Sequence, residues 1–162
     1  MLQKFEFYYN KLWSILFAFL LRRSGAKLGI RTIIWPRAYI YHPEKLVIGD
    51  NFYANNNLWM NAMGGIVIGD DVLIGPNVVI HSANHAFNKK NIPIRLQGHE
   101  KHKVSIGSNV WISASVIILP GVEICDNVVI GAGAVVSKSI RESGIYAGVP
   151  ASFIRGLNND DL

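Results

Sequence analysis

Residues 104–136 read VSIGSN VWISAS VIILPG VEICDN VVIGAG AVV. An aliphatic residue recurs every six positions, as Ile106, Ile112, Ile118, Ile124, Ile130 and Val136. Neither a helix nor a flat sheet has that period. A second column stands two residues ahead of each, as Val104, Val110, Val116, Val122, Val128 and Ala134, and a spacing of two puts both columns on one face of an extended strand. Both columns are expected to point inward. The pairs between them (Ser108-Asn109, Pro120-Gly121, Asp126-Asn127 and Ala132-Gly133) are turn formers. The stretch therefore predicts short strands joined by tight corners, an all-β solenoid of the parallel β-helix kind built from hexapeptides.

The same phase runs upstream through Ile68, Ile74 and Ile80, and in looser form through Ile48, Ala54 and Met60. With three hexapeptides to a coil, residues 68–85, 106–123 and 124–141 are expected as full coils. The whole β-helix is expected over 28–141, interrupted by a loop at 86–105 thrown out from a corner, with a C-terminal segment at 142–162. At 162 residues the chain is read as a single domain, 1–162. Residues 1–25 differ in kind: 1–23 hold no Gly or Pro, and Leu12 to Leu21 is nearly continuous apolar sequence closed by Arg22-Arg23. That predicts an N-terminal α-helix. Its apolar run of about ten residues is shorter than the roughly 20 needed to cross a bilayer, and no small-residue cleavage site follows. Two roles stay open for it, a cap over the end of the coil and peripheral contact with a membrane through residues 12–23.

The charged fraction is 17% against 50% hydrophobic, which suits a solenoid whose faces are buried again by neighbouring subunits. A net charge of +5 favours anionic ligands. No basic run interleaved with aromatics and no nucleic-acid module is present, so no nucleic-acid partner is expected. The single cysteine, Cys125, excludes an internal disulfide and fits a reducing, cytoplasmic setting. It takes the place that Gly107, Ser113 and Gly131 take in other repeats, which reads as a small structural residue.

Chemistry is expected near His85, where Asn84-His85-Ala86-Phe87 leaves the repeat at the start of the long insertion. A histidine there can act as a general base near neutral pH. His81 is closer to the strand and is expected to pack or orient a neighbour, whereas His99 and His102 lie in the loop with nothing in the sequence to fix them. The loop carries Lys89, Lys90, Arg95, Lys101 and Lys103 against the single acid Glu100, a basic lid able to steer anionic groups or simply a solvated face.

The hexapeptide run, the Asn84–Phe87 corner, Gly107-Ser108-Asn109-Val110-Trp111-Ile112, Leu119-Pro120-Gly121-Val122, Gly131 to Val136 and Ala147-Gly148-Val149-Pro150-Ala151 together resemble the left-handed β-helix O-acetyltransferases of the galactoside and maltose type. Within these, the chain is most similar to the subgroup that modifies capsule, exopolysaccharide or lipopolysaccharide sugars. The resemblance covers about residues 46–156. It implies a homotrimer with active sites between subunits, acetyl-coenzyme A as acyl donor, no metal, and a sugar hydroxyl as acceptor. It assigns His85 as catalytic base and the backbone N–H of Ala114 to the oxyanion. Asn55 and Trp111 fall to the acceptor. Trp111, Ala114, Ala132, Ser137, Lys138 and Arg155 fall to the coenzyme, with packing between subunits as the other role of Trp111. Met63 stands where the galactoside enzymes carry an acidic acceptor-binding residue, and Ser152 where they carry a second basic coenzyme contact.

Other readings compete. An amino-sugar N-acetyltransferase would use the same base and cleft, and a silent scaffold would need neither. A zinc hydratase of the γ-carbonic anhydrase type would need three histidines around a metal, and His42, His81 and His85 do not have its spacing. The expected setting of the enzyme is cytoplasmic, peripheral at the inner membrane surface.

Overall fold

The computed structural model describes residues 2–157; residue 1 of the expected helix and residues 158–162 of the expected C-terminal segment lie outside them. The chain winds into a parallel β-helix of triangular section. Face one stacks Lys27–Leu28, Leu46–Ile48, Ile66–Ile68, Val104–Ile106 and Glu123–Ile124. Face two stacks Ile33–Ile34, Tyr53–Ala54, Leu73–Ile74, Val110–Ile112, Val128–Ile130 and Gly144–Ala147. Face three stacks Tyr39–Tyr41, Trp59–Asn61, Val79–His81, Ile117–Ile118 and Val135–Val136. Register gives the coil length directly. Ile106 lies on Ile124 and Ile112 on Ile130, an 18-residue step, whereas Ile48 lies on Ile68 and Ala54 on Ile74, a 20-residue step. The sequence Asn61 to Gly65 takes up the difference at the corner between faces three and one.

Both aliphatic columns of the 104–136 stretch point inward, and none of their members is more than 3% exposed. Cutting one of the column isoleucines back to Ala costs about 2–5 kcal/mol in a core of this density. The corners turn on left-handed residues, mostly Asn and Asp: Asn51, Asp71, Asn109 and Asn127 at one edge, Asn57 and Asn77 at the next. Those side chains tolerate positive φ better than branched ones. Corner side chains also stack into ladders that satisfy neighbouring coils, with Asp70 Oδ1 accepting from Asp50 N at 2.7 Å and Asp126 Oδ1 from Ser108 N at 2.7 Å.

The insertion is not an irregular loop over 86–105. It leaves face three after Ser82 as an antiparallel hairpin, Ala83–His85 against His99–Lys101, and Val104 is already back in face one. Ser82 anchors the base of the hairpin. It is fully buried; its hydroxyl donates to Asn61 O at 2.7 Å and accepts from Gly64 N at 2.9 Å, while its carbonyl accepts from His102 N at 2.9 Å.

Each end of the coil is closed by a separate piece of chain. The N-terminal helix, α1 (Leu2–Arg23), lies across the first coil. The stripe turned to the coil is Asn10, Ser14, Ala18 and Leu21, and Ser14 Oγ accepts the Ile34 N–H at 3.0 Å. The first coil has no coil before it to take its backbone donors, so a polar residue in the packing stripe serves the edge. The capping role thus has a definite geometry. The apolar residues Leu12, Ile15, Leu16 and Phe19 are turned outward and exposed. At the other end Ser152–Arg155 folds back antiparallel on Gly144–Ala147. Among the described residues no helix is long and apolar enough to cross a membrane.

Candidate active site

His85 ends the first hairpin strand at the edge between faces three and one, directly opposite His99 in register. Their rings stand 4.5 Å apart between centroids, tilted by 36°. His99 is therefore held by strand pairing, against the expectation that nothing fixes it, and His102 is tied through its backbone to Ser82 and Gly121. Both His85 and His99 are exposed. They line a cavity of about 230 Å³ together with Trp59, Asn61, His81 and Asn84. His81 is half-buried against the Trp59 ring at 4.7 Å, and that burial pushes its pKa below the ordinary histidine value. A ring biased by burial toward its neutral form stands beside an exposed one, so the cavity has a hydrogen-bonding imidazole next to a candidate proton acceptor.

Asn55, Ala114 and Ala132 occupy the other edge of face three. One corner position repeats there as Pro36, Asn56, Pro76, Ala114 and Ala132, and the carbonyls of the first four each accept an N–H from the next coil. Among the described residues no backbone N–H at this position bonds to another coil. Pro36 and Pro76 have none, and the Asn56 N–H is taken by Asn55 Oδ1 at 2.8 Å. Among the described residues the N–H groups of Ala114 and Ala132 have no acceptor, whereas the flanking Ser113 and Ser115 N–H groups are bonded. Two fixed, open donors thus lie one above the other along the edge. Gly75 lies beside the first of them, where an added Cβ would come within 2.7 Å of Ala114 N.

The remaining expected residues are distributed around the coil. Trp111 is half exposed on face two, between Leu73 and Val129 in register. Ser137 and Lys138 are exposed at the edge that carries the hairpin. Arg155, in the closing strand, donates to Gly156 O at 3.2 Å, and Ser152 is exposed at the start of the same strand. Met63 is held at the 61–65 corner, its N–H on Asn61 Oδ1 and its carbonyl accepting from Lys45 Nζ at 3.0 Å. His42 pairs with Glu44, and among the described residues no three His, Cys, Asp or Glu side chains gather as a metal site.

One chain therefore does not bring the expected residues together. His85 stands at one edge of face three and the open donors of Ala114 and Ala132 at the other, separated by one hexapeptide of extended chain, about 20 Å. Trp59, Asn61 and His99 were missed in the sequence. The signal for the first two was the Ile-Gly-Asp repeat at 48–50 and 68–70, whose 20-residue step stacks Asn61 on His81.

A family model described as "Bacterial transferase hexapeptide (six repeats)" matches residues 103–138, and a "Hexapeptide repeat of succinyl-transferase" matches 60–82. Over 143 residues the chain is 39% identical to the galactoside O-acetyltransferase of Escherichia coli K12, covering 88% of this chain and 69% of that enzyme. WcaF of Escherichia coli K12, provisionally named for colanic acid biosynthesis as an acetyltransferase, is 32% identical over 138 residues, 85% of this chain and 73% of that one. Among solved structures, a galactoside acetyltransferase in complex with coenzyme A superposes with a TM-score of 0.80 at 39% identity, over 88% of this chain and 70% of that one.

Proposed function

We propose a reaction from the premise that the chain belongs to the hexapeptide-repeat O-acetyltransferases of the galactoside and maltose type, with their left-handed parallel β-helix. It is an acetyltransferase, and its donor is acetyl-coenzyme A. The acceptor in our reading is the hydroxyl of a sugar in a surface polysaccharide or its precursor, a reading supported by the relative WcaF. His85 takes the proton of that hydroxyl as its oxygen attacks the thioester carbonyl. The Ala114 N–H receives the negative charge that develops on the carbonyl oxygen. As the C–S bond breaks, the proton on His85 passes to the departing coenzyme thiolate, leaving an O-acetyl sugar and free coenzyme A. Asn55 and Trp111 hold the acceptor, and Trp111, Ala114, Ala132, Ser137, Lys138 and Arg155 the coenzyme.

The observation that carries this reading is the pair of open N–H donors at Ala114 and Ala132, set on the edge opposite His85. A site that uses both edges is completed by a second copy, and a cyclic trimer sets edge against edge three times. Ile33, Leu73 and Trp111 form an exposed apolar column on face two, suited to burial between copies. The outward stripe of α1 with Arg22 and Arg23 provides weak interfacial attachment where lipid-linked acceptors are presented. Incubation with acetyl-coenzyme A and a panel of sugars, followed by mass spectrometry, tests the reaction: a gain of one acetyl group on an oxygen is expected, and transfer only to amino groups would replace the O-acetyl reading. Failure to co-sediment with anionic vesicles at low salt would leave α1 as a cap alone.

A further inference from the structure

A wide cleft lies at the N-terminal end, away from both His85 and the positions assigned above to the coenzyme. It measures about 660 Å³ and opens between α1 and the first turn of the corner that carries Asn55, Ala114 and Ala132. Its size is that of clefts that hold ligands larger than one sugar ring. Tyr9, Trp13 and Tyr39 supply aromatic walls, and Asn10, Arg37 and Asn56 supply polar groups. Tyr9 and Tyr39 are more than half exposed, at 54% and 58%, so neither is committed to the core. Asn10 is 5% exposed, and the buried indole N–H of Trp13 has no acceptor among the described residues.

The position along the coil matters as much as the composition. Asn56 borders the cleft and follows Asn55, the acceptor-binding residue in the reading above. The cleft extends one coil further toward the N-terminus, where the Asn57 N–H meets Pro36 O at 3.3 Å. The open donors at Ala114 and Ala132 lie in the opposite direction along the same edge. An acceptor whose reacting hydroxyl sits near Asn55 therefore has donor chemistry on one side and this cleft on the other.

We infer that the cleft between α1 and the Pro36–Ala38 corner is a saccharide subsite that holds the sugar units beyond the one being acetylated, making an extended glycan the preferred acceptor. This rests on the acceptor reading given above. Pyranose rings present C–H faces that stack on flat aromatic walls and hydroxyl rims that both donate and accept, which is the combination this cleft offers. A lipid chain would leave the polar groups of Asn10, Arg37 and Asn56 that line the cleft without a partner from the ligand. The α1 helix thus shapes substrate choice as well as closing the coil.

Fluorescently labelled full-length protein on an array of bacterial surface saccharides, from one to six units long, tests the subsite without requiring catalysis. Wild type is expected to bind fragments of three or more units at least tenfold more tightly than their terminal monosaccharides. The exposed double variant Tyr9→Ala/Tyr39→Ala should lose that advantage, and Tyr9→Phe/Tyr39→Phe, which keeps the stacking faces, should retain it. No bound glycan, binding independent of length, or equal binding by the alanine variant would overturn the subsite. A change in particle mass of the alanine variant by light scattering would overturn it too, by giving the cleft to a neighbouring copy. Acetyl transfer to the array-selected glycans is then measured separately. Glycans that bind and are not acetylated would sink the acceptor reading and leave the subsite standing.

Discussion

His85 and His81 lie four residues apart and line one cavity, yet the fold gives them different surroundings. His85 is exposed at the mouth, and its replacement by Ala should lower kcat by about two to four orders of magnitude, the usual yield of a general base, with coenzyme A binding retained. Turnover on the true acceptor within tenfold of wild type would remove it from the mechanism. His81 packs on Trp59, and burial holds its pKa below the ordinary value near 6.5. Since the folded protein binds that proton less readily than the unfolded chain, the stability it permits is complete above the ordinary value and is lost as pH falls through the lowered one. Its imidazole resonances should titrate below those of a free histidine, and His81→Gln should flatten the acid side of the Tm profile in the range just below pH 6.5. An unshifted titration would undo the link between burial and charge. The His85 corner stood out in the sequence because it breaks a strict repeat. The His85 partner His99 was not legible, because a pair 14 residues apart across a hairpin leaves no periodic trace.

The same contrast holds for whole elements. The inward columns were readable because each coil repeats one chemical demand, an aliphatic side chain at a fixed height. The 20-residue coils were harder, since Asn61 to Gly65 absorbs two extra residues at a corner without disturbing either column. Helix α1 was legible as a helix from its apolar run, but its orientation was not. Packing stripes are usually read as the most apolar face, and here Asn10 and Ser14 occupy it because the end coil needs acceptors for donors such as the Ile34 N–H. The hairpin shows the reverse case. Its basic residues Lys89, Lys90, Arg95, Lys101 and Lys103 are all exposed, and the one acid, Glu100, accepts from Asn88 Nδ2 at 3.1 Å. Positive charge at the rim of the His85 cavity is therefore little offset. Replacing Lys89, Lys90 and Arg95 together by Gln should raise KM for the coenzyme or for an anionic acceptor at low ionic strength. The effect should shrink as salt is raised, because exposed charges beyond a Debye length of roughly 10 Å at 0.1 M are screened. Kinetics identical to wild type at low salt would return the segment to a solvated face.

For the whole molecule the decisive geometry is that face three separates His85 from Ala114, so a site that used both, as proposed above, could not close within a single coil. Ala114 offers a direct way to test this. Its corner position is Pro in two other coils, Pro36 and Pro76, and its N–H has no acceptor among the described residues. Ala114→Pro should therefore remove one donor while breaking no backbone bond and demanding no new φ. Loss of a single oxyanion donor is expected to lower kcat by about 10²–10³ with Tm little changed. His85→Ala is impaired for a different reason and at the other edge. If each site takes His85 from one copy and the Ala114 N–H from the next, a 1:1 co-refolded mixture of the two variants rebuilds wild-type sites. In a cyclic trimer a site has about a one-in-two chance of an intact histidine and the same chance of an intact donor, so about a quarter of wild-type activity should return. A mixture no more active than the mean of its two components would place both groups in one chain's site, contrary to the two-edge geometry. A monomer by light scattering at assay concentration would do the same without any mixing.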